Sequence, residues 1–153
     1  MDDSEPFSVD TVLAPVDGSE ESATAVEYAV AIADRYDASV HALYVLGHGV
    51  VRGMDVGTVD EGIVAENTQG FFDDVAEIAD DAGVSLSTSV DDGFSQSRKT
   101  RHPGNVVLDT ADAIDADFVV LPREPVTDAT SAEVLEKVAE YVLSYASQPV
   151  LSV

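Results

Sequence analysis

The chain has no cysteine and no tryptophan, and only seven lysines and arginines against thirty aspartates and glutamates. Without cysteine there is no disulfide, no thiol nucleophile and no cysteine-bound metal. The net charge of −23 repels nucleic acid and anionic membrane surfaces, so neither is an expected partner. No stretch approaches the roughly 18 uninterrupted apolar residues of a membrane span. Residues 1–8 carry neither a basic region nor an apolar signal core, and a cytoplasmic protein is expected. Catalytic signatures are missing too. There is no G-x-S-x-G elbow, and His41, His48 and His102 lie in three separate segments with no metal-ligand spacing. No catalytic residue, no metal and no enzymatic turnover are expected. Glycine is absent from Asn105 to Val153.

The 153 residues suit one domain with a full hydrophobic core, residues 9–153, behind a flexible acidic tail, residues 1–8. The acids are scattered among well-patterned apolar residues, which separates this chain from a disordered acidic one. Such a composition fits a solvated acidic shell adapted to high salt.

The organising stretch is Val12-Leu13-Ala14-Pro15-Val16-Asp17-Gly18-Ser19-Glu20, an apolar run that ends in an acid, a glycine and a hydroxyl. It predicts a first strand over 11–16. A helix follows over 20–36, with Asp17 as its cap and Glu20 completing a capping box. Ala23, Val26, Ala29, Val30 and Ala33 form that helix's apolar stripe. A second strand spans 39–46. Between 47 and 65 lie Gly47, Gly49, Gly53, Gly57 and Gly62, half of the ten glycines, which predicts a long mobile crossover loop. Its spacing, and its position after the second strand, exclude the dinucleotide fingerprint. A helix over 64–82 stops at Gly83, and a strand over 84–90 alternates apolar residues with serines, as an edge strand does. Residues 91–104 form a second connection in which Arg98, Lys99 and Arg101 place three of the seven cations within four residues. That cluster is an anion or phosphate clamp, a docking patch for an acidic partner, or a solvated loop. Helices over 105–115 and 130–146, the latter opened by a Thr130–Glu133 capping box, alternate with strands over 117–121 and 149–153. Strictly alternating strands and helices imply an α/β fold with a parallel sheet, right-handed crossovers and four helices on both faces. In such sheets ligands bind beyond the carboxyl ends of the strands at the switch point, where Asp17 stands.

Val12 to Ser19, Ala116 to Leu121 with its preceding acid, and the closing Gln148-Pro149-Val150-Leu151-Ser152-Val153 together resemble the universal stress protein family (UspA-like) over residues 9–153. The resemblance implies a Rossmann-like, adenine-nucleotide α-hydrolase-like sheet in the order 3-2-1-4-5. In nucleotide-binding members it implies a nucleoside contact at the position of Asp17 and adenine held by backbone around Val45. It also implies phosphates wrapped by a Gly-x2-Gly-x9-Gly-(Ser/Thr) loop after strand four. This chain departs from that loop. Pro122 and Pro125 take the places of the first two glycines, and Glu136-Lys137 takes that of the final pair. Proline offers no N–H to a phosphate. Glu124, Asp128, Glu133 and Glu136 repel one, with only Arg123 and Lys137 to oppose them. The expectation is therefore a regulatory or interaction module without a cofactor. It is a homodimer through the terminal strand (Val150, Leu151, Val153), whose unprotected edge favours pairing, with a protein partner unknown. The alternative is a nucleotide site for ATP or AMP, rebuilt from Asp17 and the Arg98–Arg101 loop.

Overall fold

Thr11–Val16 (β1) is apolar on both faces because helices cover both faces of the sheet that it centres. The computed structural model describes residues 8–91, 103–122 and 130–153, without the side chains of 48, 49, 103 and 130–137. After β1 come α1 (Glu20–Tyr36), β2 (Ser39–Val45), α2 (His48–Val56), α3 (Glu61–Ala82) and β3 (Leu86–Asp91). The chain then continues through α4 (Pro103–Ala113), β4 (Phe118–Leu121), α5 (Thr130–Tyr145) and β5 (Val150–Ser152). The five strands are parallel in the order β3-β2-β1-β4-β5. The acidic tail lies outside the described residues except Ser8, and Val9 beside it is already in the core, 1% exposed.

Two cores flank the sheet. Ala25, Val26, Ala29 and Ala33 of α1 pack with Phe71, Phe72, Val75 and Ala79 of α3 against Val12, Ala14, Val40 and Ala42. On the other face Val107 and Ala111 of α4 and Val138 and Val142 of α5 cover Leu13, Leu43, Val119 and Leu121. At its amino end β1 is clamped by Asp117, whose Oδ2 accepts from the N–H groups of Asp10 (2.8 Å) and Thr11 (3.1 Å). At its carboxyl end the ladder to β4 stops early. Thr11 C=O accepts from Asp117 N on the β4 side, so Pro15 faces β4 as well and has no N–H to extend the pairing past Leu13–Val119. That is where the switch point lies.

Between β2 and α3 an expectation is overturned. Residues 47–65 are not a loop, and the helices among the described residues number five rather than four. The glycines read as breakers stand instead at helix ends and at one close contact. Gly47 is the N-cap of α2, and Gly57, at φ +84°, is its C-cap. A side chain at Gly53 would collide with Val59. Its carbonyl accepts from Thr58 N (2.8 Å) and Val59 N (3.0 Å), folding the turn back onto α2. Asp60 then caps α3 by accepting from Gly62 N and Ile63 N. Smaller shifts have equally local causes. α4 begins at Pro103, two residues earlier than expected, because proline suits a first helical turn. β3 starts at Leu86, with Val84 tucked into the core before it.

Candidate ligand cleft at the end of β1

The chain leaves β1 at Val16 and must turn at once into α1. Gly18, at φ +87°, makes the turn, a backbone region open to glycine and costly for other residues. Ser19 rather than Asp17 is the N-cap, which corrects the sequence expectation. Ser19 Oγ accepts from Ser22 N (3.1 Å), and Ser22 Oγ donates to Ser19 C=O (2.9 Å). Glu20 is thus the first helical residue, and it helps by its charge near the helix N-terminus and not by a capping box. The turn moves the cap two residues on, which frees Asp17 for another role.

Asp17 is only 5% exposed. Its Oδ1 accepts from Ser19 N (2.9 Å) and its own N–H donates to Ser22 Oγ (3.3 Å). Its Oδ2 is buried with no hydrogen-bond partner, an acceptor that lacks the donor that buried carboxylate oxygens nearly always have. Tyr44 lies beside it. The β1–β2 register sets Tyr44 opposite Val16, so the ring passes under Gly18 and meets Phe71 and Phe72 edge-on, with centroids 5.8 Å away in each case. Burial pushes the Tyr44 phenol up, the Asp17 charge adds to this, and a hydrogen bond with Thr68 opposes it. Sequence reasoning missed Tyr44. The signal was the alternation Val40, Ala42, Tyr44, which puts an aromatic ring on the α1/α3 face at the very end of β2.

The remaining expected site residues are only partly brought together. Val45 closes β2, 1% exposed, with its side chain in the α4/α5 core. The next residue's N–H is taken by Asp91 C=O at 2.9 Å. Arg98, Lys99, Arg101 and Arg123 lie outside the described residues, as do the Lys137 side chain and the side-chain contacts of the Thr130–Glu133 capping box. Val150 packs on the α4/α5 core and Leu151 and Val153 on the α1/α3 core, each half-buried at the sheet edge. His41 sits on β2 with both ring nitrogens bonded to hydroxyls, Ser87 Oγ at 2.7 Å and Ser89 Oγ at 2.8 Å, and burial lowers its pKa. Among the described residues no group of three or more His, Asp or Glu side chains could hold a metal ion. The Ser19 hydroxyl is spent on the cap. Chemically the turn presents an acceptor: one Asp17 carboxylate oxygen is held by backbone and the other is buried without a donor.

The model of the universal stress protein family matches residues 8–153. The chain belongs to the universal stress protein family. Within it, the chain is 31% identical over 147 residues to the universal stress protein MJ0531 of Methanocaldococcus jannaschii, covering 93% of this chain and 80% of that one. Among solved structures it is similar to the universal stress protein UspA from Lactobacillus plantarum, with TM-score 0.72, 21% identity, and coverage of 96% and 99% of the two chains. The universal stress protein from Archaeoglobus fulgidus in complex with dAMP has TM-score 0.61 and 16% identity, with coverage of 94% and 96%. The five-stranded parallel sheet in the order 3-2-1-4-5 is that of these family members. No described helix is long and apolar enough to cross a membrane.

Proposed function

We propose that this universal stress protein is a cytoplasmic regulatory module. It works as a homodimer paired through β5, without enzymatic turnover and without ATP held by a glycine loop. The observation that carries the reading is Pro122. It is buried immediately after β4, at the place of the loop's first glycine, and it has no N–H to give a phosphate. The same stretch continues with Glu124, Pro125 and Asp128, so neither backbone donors nor charge favour a polyphosphate there. For the dimer, β5 is an edge strand, and such an edge is satisfied by antiparallel pairing about a two-fold axis. Leu143 and Tyr145, 53% and 67% exposed at the end of α5, add apolar surface shortly before that strand.

Two measurements test this. Isothermal titration in high salt should give no heat with ATP, and micromolar ATP binding that disappears in Asp17→Ala would overturn the reading. Sedimentation equilibrium should return twice the chain mass; a monomer at micromolar concentration removes the β5 pairing.

A second reading rests on the unpartnered, buried Oδ2 of Asp17. An acceptor held without a donor is relieved by a ligand hydroxyl. The dAMP complex of the Archaeoglobus fulgidus relative points to a nucleoside or monophosphate, with Arg98, Lys99 and Arg101 supplying the phosphate charge. Adenosine or AMP binding in the absence of ATP binding, lost in Asp17→Ala, would support it. Silence from all three ligands would remove it.

A further inference from the structure

A cavity of about 330 Å³ opens between α2, α3 and the carboxyl ends of β2 and β3, and it shares no lining residue with the Asp17–Gly18 turn. Leu46, Met54, Val64, Phe72 and Val90 supply its apolar wall. Val90 stands 51% exposed on it, an apolar side chain left to water on an edge strand. The wall is held in place by local hydrogen bonds. The turn that closes on Gly53 fixes the carboxyl end of α2, which contributes Met54 to the wall. Methionine's flexible thioether adapts to the shape of a bound group. A size near the lower bound for small-molecule pockets fits a ring with a short chain.

The polar residues of the wall decide the class of ligand. Thr68 donates its hydroxyl to Val64 C=O (2.8 Å), and Gln69 donates to Asp73 Oδ1 (2.8 Å). Glu61 is the charged residue of the wall. It stands in the first turn of α3, and no described cation is paired with it. Asp60 precedes it, and the whole chain carries −23. An anion is repelled from this mouth and a cation is drawn to it. We propose that the cavity binds a small amphipathic organic cation, its apolar body against Met54, Phe72 and Val90 and its protonated amine at Glu61.

Phenylbutylamine is the probe, with phenylbutanol and phenylbutyrate as neutral and anionic isosteres. Binding is read from the methyl resonance of Met54, one of two methionines, the other being Met1. The amine should shift Met54 saturably and more tightly than the alcohol, and the butyrate should leave it unmoved. Ala65→Trp, which fills the cavity, should abolish the shift without changing the melting curve. Should that variant not fold, Glu61→Gln on the exposed helix surface serves instead. It should weaken the amine roughly two- to fivefold, the scale of an exposed ion pair, and leave the alcohol unchanged. Equal binding of amine and alcohol, or retention of the shift in Ala65→Trp, overturns the proposal. So does displacement of the amine by adenosine, which would assign the cavity to a nucleoside base. Movement of Met54 with protein concentration alone would assign it to a second copy of the chain, with the same consequence.

Discussion

The Tyr44 hydroxyl occupies the space in which a side chain at position 18 would begin: a Cβ built on Gly18 lies 2.5 Å from that oxygen and 3.3 Å from the ring carbon that bears it. Two constraints therefore meet at Gly18, the positive φ and the phenol. Gly18→Ala should destabilise the fold by about 1–3 kcal/mol, as strained turn positions do. In a Tyr44→Phe background the nearest atom is gone while φ is unchanged, so part of the loss should be recovered. Denaturant melts of the two single variants and the double variant measure this. Additive losses would mean that the hydroxyl exerts no steric pressure on the turn.

Tyr44 also makes stability depend on alkaline pH. Burial, and behind it the Asp17 charge, raise the phenol above its ordinary 10.0. The folded chain then keeps a proton that the unfolded chain has released. Its contribution is whole below pH 10 and is lost as pH climbs from there through the folded value. Tyrosinate absorbance should show a late-titrating component that is lost in Tyr44→Phe, and the same substitution should flatten that part of the stability curve.

His41 acts at the opposite end. Burial lowers its pKa below 6.5, so the folded chain prefers the neutral ring. The stabilisation is present above pH 6.5 and is lost as pH falls through the folded value. Proton–carbon NMR should place the His41 midpoint below 6.5, and a midpoint above that value would contradict the burial argument.

At Gly104, α4 packs tightly against Tyr141 of α5. A Cβ there would meet the Tyr141 ring at 2.5 Å and Tyr141 Cβ at 2.9 Å. The Tyr141 Cβ is the root of its side chain and cannot swing away. Gly104→Ala should cost about 1–3 kcal/mol through overpacking, and Tyr141→Ala in the same chain should return some of it. Tyr141→Phe alone removes the hydrogen bond to Asn105 Oδ1 (2.9 Å) and should cost about 1 kcal/mol. Equilibrium unfolding separates the three effects.

The excess of acids should make the protein salt-dependent. With thirty carboxylates against seven fixed cations, self-repulsion opposes the compact state, and added salt screens it. The thermal midpoint should rise steadily with potassium chloride. A midpoint that ignores salt would remove the high-salt reading.

The sequence alone determined the five strands, four of the five described helices and a parallel sheet built from their alternation, while the strand order 3-2-1-4-5 came from the family resemblance. The reason is that periodicity is local: β1 and α1 announce themselves in the spacing of their own apolar residues, and parallel strands joined by helices permit few topologies. It also marked Asp17 as the residue at the strand end. Tertiary structure decided what Asp17 does there. The cap passed to Ser19 because Gly18 turns the chain, and the carboxylate acquired Tyr44 as a neighbour because strand register, a long-range property, set residue 44 against residue 16. The same distinction explains α2. Glycine in a sequence signals a break, but whether it ends a helix, as Gly57 does, or admits a neighbour, as Gly53 admits Val59, is decided only by how the turn packs back on the helix. The cavity between α2 and α3 exists only once that turn has closed.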